Sequence, residues 1–192
     1  GVLSEILLSA GYRVHGIDIS PAMLRIARRR ARRAGFVTDS YADAAIPACE
    51  AIVAVGEILN YPGDAEASTR GLEAFFRRAF QALQPGGVLM FDFLAPLASG
   101  TRTGVGHASG EGWSVLVTRT EDTTRRRMTR HIVTFRKVGR AYRRSVETHV
   151  LHLHDRSEIA AALRVAGFRV RTRRGYGARQ FGPGHFVAVA VR

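Results

Sequence analysis

The stretch YRVHGIDISPAMLRIARRRA, Tyr12 to Ala31, decides how this chain is read. It opens on a short run, YRVHGID, that reads as a strand and ends on an acid, Asp18. Ser20 and Pro21 follow, and then Met23, Leu24, Ala27, Ala31 and Ala34 recur at helical spacing. A serine oxygen accepts a hydrogen bond from an amide of the first turn, and proline presets φ for the first helical residue. Ser20-Pro21 is therefore a helix start, and the helix is expected to run to about Ala34 before Gly35 closes it. Six arginines, Arg25, Arg28, Arg29, Arg30, Arg32 and Arg33, fall mostly off the apolar stripe. Asp18 thus sits where a strand ends and a helix begins. Two roles stay open for it. It could grip the vicinal hydroxyls of a ribose, or it could simply open the turn before the cap.

Working outward, VLSEILLSAG has helical spacing, with Gly11 as its stop. Downstream come a short strand (FVT), the loop DSYADAAIPACE and an apolar strand, AIVAV, broken by Gly56. A loop through Pro62 and Gly63 leads to an amphipathic helix from about Ser68 to Leu83. The tight turn QPGG and the strand VLMFDF follow. Nearly all-apolar strands alternating with helices predict an α/β fold, a parallel sheet covered on both faces.

The pattern changes after Leu94. APLASGTRTGVGHASGEG is Gly- and Ser-rich and aperiodic, so a loop is expected there. Its glycines do not join a strand to a helix N-terminus, so they lack the geometry of a phosphate cradle; a lid over an acceptor is the expected role. Three β-rich runs, Trp113 to Thr120, Met128 to Val138 and Arg143 to Leu153, predict an antiparallel three-stranded meander. A helix then starts with Asp155 and Glu158 at capping-box spacing and stops at Gly167. FRVRTRR and HFVAVAV close the chain as an expected antiparallel pair.

Composition sets outer limits. The 192 residues fit one ordinary domain, and 46% hydrophobic content suffices for a core. Cys49 is the only cysteine, which excludes an intrachain disulfide framework. No run approaches the roughly 18 apolar residues of a spanning helix; a cytoplasmic protein is the default expectation. The formal charge is +13, and Lys137 is the only lysine among 29 basic residues. Such charge attracts polyanions without selecting a fold. A solvated basic surface is the expected reading, with a nucleic-acid-binding protein using Arg28–Arg33 and Arg125–Arg127 as the alternative.

The segments VHGIDISPAMLRIARRRA, AIVAVGEILNY and ALQPGGVLMFDF, in that order and spacing, resemble the class I S-adenosylmethionine-dependent methyltransferases. The closing helix and strand pair fit the same family. The resemblance implies a Rossmann-like, doubly wound, mostly parallel sheet with an antiparallel final pair. Residues 1–94 and 154–192 would form that core, and 95–153 an inserted lid and acceptor-binding region. It implies that Gly1 is the last glycine of a cofactor-binding turn, with the first strand lying upstream. It implies S-adenosylmethionine as cofactor, Asp18 as the ribose acid and Ile19 against the adenine. Ser40 and Tyr41 would lie near the base, and Val55 and Gly56 beneath the cofactor. Within that family a nucleic-acid methyltransferase using Arg28–Arg33 and Arg125–Arg127 is the alternative. A dinucleotide-binding protein of the NAD type shares the acid after the second strand and is the other Rossmann alternative.

Transfer of a methyl group from a sulfonium needs alignment and exclusion of water more than a catalytic signature. A base is needed only when the acceptor arrives protonated. Glu57, Asn60 and Tyr61, after the fourth strand of the family order, are expected to border a small-molecule acceptor; Glu57 would position or deprotonate its N or O atom. ETHVLHLHD offers His149 as a second candidate base, and His131 lies on the neighbouring strand. On a strand, His152 and His154 point to one face and His149 to the other. The three do not converge, and no metal site is expected. Trp113, the single tryptophan, is expected to anchor the meander.

Overall fold

The computed structural model describes residues 1–61, 69–97 and 101–192. The expected loop at Pro62 and Gly63 and the expected helix start at Ser68 lie outside the described residues. The N-terminal layer holds α1 (Val2–Ser9), β1 (His15–Asp18), α2 (Pro21–Arg30) and β2 (Gly35–Thr38). The central elements are β3 (Cys49–Ala54), a 3-10 turn at Ile58–Asn60, α3 (Thr69–Ala82) and β4 (Leu83–Leu94). Next come β5 (Thr101–Gly110), β6 (Trp113–Asp122), β7 (Arg127–Val138) and β8 (Ala141–His152). The chain closes with α4 (Arg156–Val165), β9 (Arg169–Arg173), the short β10 (Gly175–Tyr176) and β11 (Arg179–Gln180), and β12 (His185–Val191).

The α/β reading holds. Parallel β1 and β2 form one two-stranded sheet, and β3-β4-β12-β9 form a mixed sheet of four. In that sheet β3 is parallel to β4, while β12 is antiparallel to β4 and to β9, as the closing pair predicted. Ser20 caps α2 as expected: its Oγ accepts from the Met23 amide at 3.3 Å. The helix ends at Arg30, earlier than the periodicity suggests, because the chain turns at Ala31.

Three local expectations are corrected. The segment expected as a loop contains β5, which pairs with β6 from Thr101↔Asp122 to Gly110↔Trp113, so the meander has four strands instead of three. Glycine and serine composition misleads there because cross-strand pairing supplies what propensity lacks. The QPGG segment does not leave the sheet as a free turn. Leu83 still faces Cys49, and the left-handed Gly86 (φ +80°) absorbs a register shift against β3. The capping box also fails, since Asp155 makes no side-chain bond to the helix amides. Arg126 instead takes both carboxylates, Asp155 and, at 2.9 Å, Glu158.

The core lies on one face of the four-stranded sheet. Leu89, Phe91 and Phe93 of β4 and Ala188 and Ala190 of β12 pack against Phe76 of α3 and Leu163 of α4. Residues alternate along a strand, so Asp92 and Leu94 face the other way. Leu94 there meets Leu151 and Leu153, with Met128 and Tyr61 beside them. The meander is thus pinned to the sheet face opposite the helices, and that face carries the polar cluster described next.

Candidate functional site

Asp92 is the centre of the site and is 2% exposed. Its carboxylate accepts from the Gly56 amide (2.8 Å), the Glu57 amide (3.2 Å), the Tyr176 hydroxyl (2.9 Å) and His185 Nε2 (2.8 Å). Register explains the meeting. His185 pairs with Leu94 and Val187 with Asp92, so Asp92 and His185 are diagonal neighbours on one face. Burial pulls the Asp92 pKa up, but the bonds from His185, Gly56 and Tyr176 outweigh it and hold the group below the usual carboxylate range. Tyr176 is pushed the other way, by burial and then by the Asp92 charge.

The amides that Asp92 holds belong to two left-handed residues. Gly56 has φ +95° with open space where a Cβ would stand. Glu57 has φ +58°, unusual for a residue with a side chain and typical of strain kept at a site. The strand end is thereby turned so that the Glu57 side chain pairs with Arg130 of β7 at 2.7 Å. His185 Nδ1 lies 3.9 Å from the other Glu57 oxygen. Phe181 stacks on the His185 ring at 3.9 Å and 9°, and Tyr176 packs edge-on to Phe181. Only glycine fits at 175: a Cβ there would stand 1.8 Å from the Arg179 carbonyl oxygen. The close β10–β11 approach carries Tyr176 and Phe181 to the site.

A cavity of about 350 Å³ opens beside this cluster. Glu57, His185, Arg130, Arg119, Glu121 and Met128 help to line it, so it lies between the ends of β4 and β12 and the meander. Glu121 is 4% exposed and accepts from the Leu97 amide at 2.8 Å. Both signs of charge and an apolar wall therefore surround one space.

The residues expected to hold a cofactor lie at the neighbouring strand ends. Asp18 is half-buried; its Oδ1 accepts from the Ser20 amide at 2.8 Å, and no ion pair involves it among the described residues. Its second oxygen fits a ribose hydroxyl as an acceptor. Ile19 beside it is 71% exposed. Ser40 closes a local turn, its Oγ accepting from the Ala42 amide. Tyr41 is turned inward: its hydroxyl donates to the Tyr61 carbonyl and its ring packs edge-on to Phe75. Arg78 ties the same loop to α3 through the carbonyls of Tyr41 and Ala42. The segments leaving β2 and β3 therefore meet, and Val55 and Gly56 just after β3 are exposed. Gly1 packs on α2, where a Cβ would stand 2.6 Å from the Ala27 Cα.

The other expected acceptor residues separate. Asn60 does not border the pocket. It is fully buried and bonded to Leu94 and to the His152 carbonyl, so it ties sheet to meander. Tyr61 and His149 engage each other, the hydroxyl 3.1 Å from Nδ1, while His149 Nε2 lies 3.3 Å from Glu147. His149 does not line the cavity. His152 and His154 do share a face, ring centroids 5.0 Å apart, and burial pushes His154 down to about 4. Among the described residues no group of His, Cys, Asp and Glu could hold a metal ion, and no helix is long and apolar enough to cross a membrane. Asp92, His185 and Arg130 escape a reading of the sequence. The one signal was an acid inside the apolar run VLMFDF, where burial demands partners.

Residues 1–87 match the profile of a family described as a methyltransferase domain. No curated protein matches the sequence. Among solved structures, an S-adenosylmethionine-dependent methyltransferase from Clostridium acetobutylicum is 15% identical, with TM-score 0.77 over 94% of this chain and 75% of the other. An amino pentose methyltransferase from Micromonospora echinaspora is 18% identical, with TM-score 0.72 over 100% and 88%. A sugar N-methyltransferase from Streptoalloteichus is 22% identical, with TM-score 0.68 over 93% and 70%. At these identities the likeness is one of fold.

Proposed function

We propose that this chain is a class I S-adenosylmethionine-dependent methyltransferase, as the family match over residues 1–87 and the shared fold support, and that it methylates an amine on a small, sugar-sized molecule. The cofactor supplies an activated methyl group. Asp18 accepts hydrogen bonds from its ribose hydroxyls, Ile19 covers one face of its base, and Val55 and Gly56 let backbone approach it. Residues 1–94 and 154–192 form the donor-binding core, and 95–153 close the acceptor side and exclude water.

The observation that carries this reading is the Asp18 carboxylate. It is accessible at the end of β1, holds one oxygen by the Ser20 amide and leaves the other without a partner among the described residues. A cavity of about 350 Å³ is the size of a monosaccharide-class pocket rather than a macromolecular platform. Similar structures that act on amino pentoses and sugars support the same acceptor class. Glu57, held by Arg130, orients the acceptor from the wall of that cavity.

Calorimetry with S-adenosylhomocysteine is the test. Loss of a charge-assisted bond is expected to weaken binding about 10- to 100-fold in Asp18→Ala. Absence of binding by the parent protein, or equal binding by the variant, would sink the reading.

A further inference from the structure

We infer that His185 is the proton acceptor of the methyl transfer, with Asp92 as the residue that positions it and fixes its tautomer. The inference deepens the proposed amine methylation and rests on that reading.

The argument runs from the donor set around Asp92. All four of its contacts come from groups that can donate: two backbone amides, the Tyr176 hydroxyl and His185 Nε2. A carboxylate so surrounded is an acceptor only, so the His185 proton sits on Nε2. Nδ1 is left bare. It faces Glu57 at 3.9 Å, too far for a hydrogen bond, in the wall of the cavity. Phe181 covers one ring face, and β12 fixes the backbone, so the ring has little freedom to flip. The groups facing His185 are Asp92 from β4 and Glu57 from the turn after β3, with Arg130 of β7 behind Glu57 and Tyr176 behind Asp92. Two carboxylates flank the imidazolium that would form. His149 offers no such arrangement, since both its nitrogens already lie against side chains outside the cavity.

The step balances. The acceptor ammonium N–H bond breaks, its electron pair stays on nitrogen, and the Nδ1–H bond of His185 forms. The nitrogen lone pair then bonds to the methyl carbon as the carbon–sulfur bond breaks, with that pair kept on sulfur. The proton later leaves His185 for solvent, because its side chain is 19% exposed.

His185→Gln tests the assignment in the full chain. Glutamine can still donate to Asp92 from its amide but cannot take a proton. With S-adenosylmethionine and a panel of 2-, 3- and 4-amino sugars as probes, kcat is expected to fall about 100-fold or more at neutral pH, and the acidic limb of the kcat/KM profile to move so that it follows the free-amine fraction of the acceptor alone. S-adenosylhomocysteine affinity should stay within about twofold; failure of the parent to bind it would strike the methyltransferase reading instead. Parent-like kcat and an unchanged acidic limb in the variant would overturn the proposal. The ¹⁵N spectrum of histidine-labelled parent decides independently of turnover. A protonated Nε2 with bare Nδ1 at neutral pH, lost in Asp92→Asn, is expected; the reverse tautomer in the parent would also overturn it.

Discussion

The N-terminal layer and the four-stranded sheet are built on opposite terms. In α1 no residue is buried, and Val2, Ile6, Ile19, Met23, Ile26 and Val37 are all exposed; only Leu24, Ala27 and Ala31 close the seam between α1, α2 and β1. In the sheet, Phe76, Phe91, Phe93 and Leu163 are sealed from solvent. The two regions also place their acids differently. Among the described residues, the Asp18 carboxylate takes its one bond from a residue two positions away, whereas Asp92 draws donors from 35, 36, 84 and 93 residues away. The difference teaches that one acid can be placed by its neighbours in sequence while another is placed only by the tertiary fold.

The contrast is broken most severely through packing. Phe91→Ala is expected to cost about 3–5 kcal/mol by removing a sealed ring, while Ile6→Ala should stay within about 0.5 kcal/mol. Urea unfolding of both variants measures this, and equal shifts in midpoint would erase the distinction.

Acid titration gives the next effect. His154 is buried neutral between Leu59 and His152, with a pKa pushed down to about 4 from an ordinary 6.5. A depressed folded pKa means that the unfolded chain binds the extra proton. Its contribution is therefore whole above pH 6.5 and is lost as pH falls towards 4, on the order of 3 kcal/mol. His154→Gln should flatten the stability curve in that window. An unchanged slope would show that the meander's inner face is wet. Asp92 acts in the same direction at lower pH, because its folded pKa is also depressed.

The smallest effect belongs to the surface. Arg126 grips Asp155 and Glu158 at the start of α4, but all three side chains are about two-fifths exposed or more. Arg126→Ala should cost less than about 1 kcal/mol and less still in 0.5 M salt. A larger, salt-insensitive loss would mean that Arg126, at φ +50°, anchors the β6–β7 turn through its backbone as well.

Much of the frame was legible in residues. Ser20 and Pro21 wrote the start of α2, and the runs Trp113 to Thr120 and Met128 to Val138 wrote two strands, which the structure extends to Trp113–Asp122 and Arg127–Val138. Thr101 to Gly110 did not announce a strand, because glycine-rich chain extends only when a neighbour pairs with it. Among the residues lining the cavity, Glu57 was singled out from its place after an apolar strand. His185 was not, since nothing beside it in the sequence distinguishes it from the six other histidines.

Sequence alone determined the alternation of strands and helices up to β4, the acid at the tip of β1 and the cap that starts α2, because each depends on neighbours a few positions away. Tertiary structure alone decided that Asp92, His185, Tyr176, Glu57 and Arg130 share one polar centre. Their juxtaposition depends on the antiparallel register of β12 on β4 and on the meander folding back over that face, and neither relation is encoded within any single window of the chain.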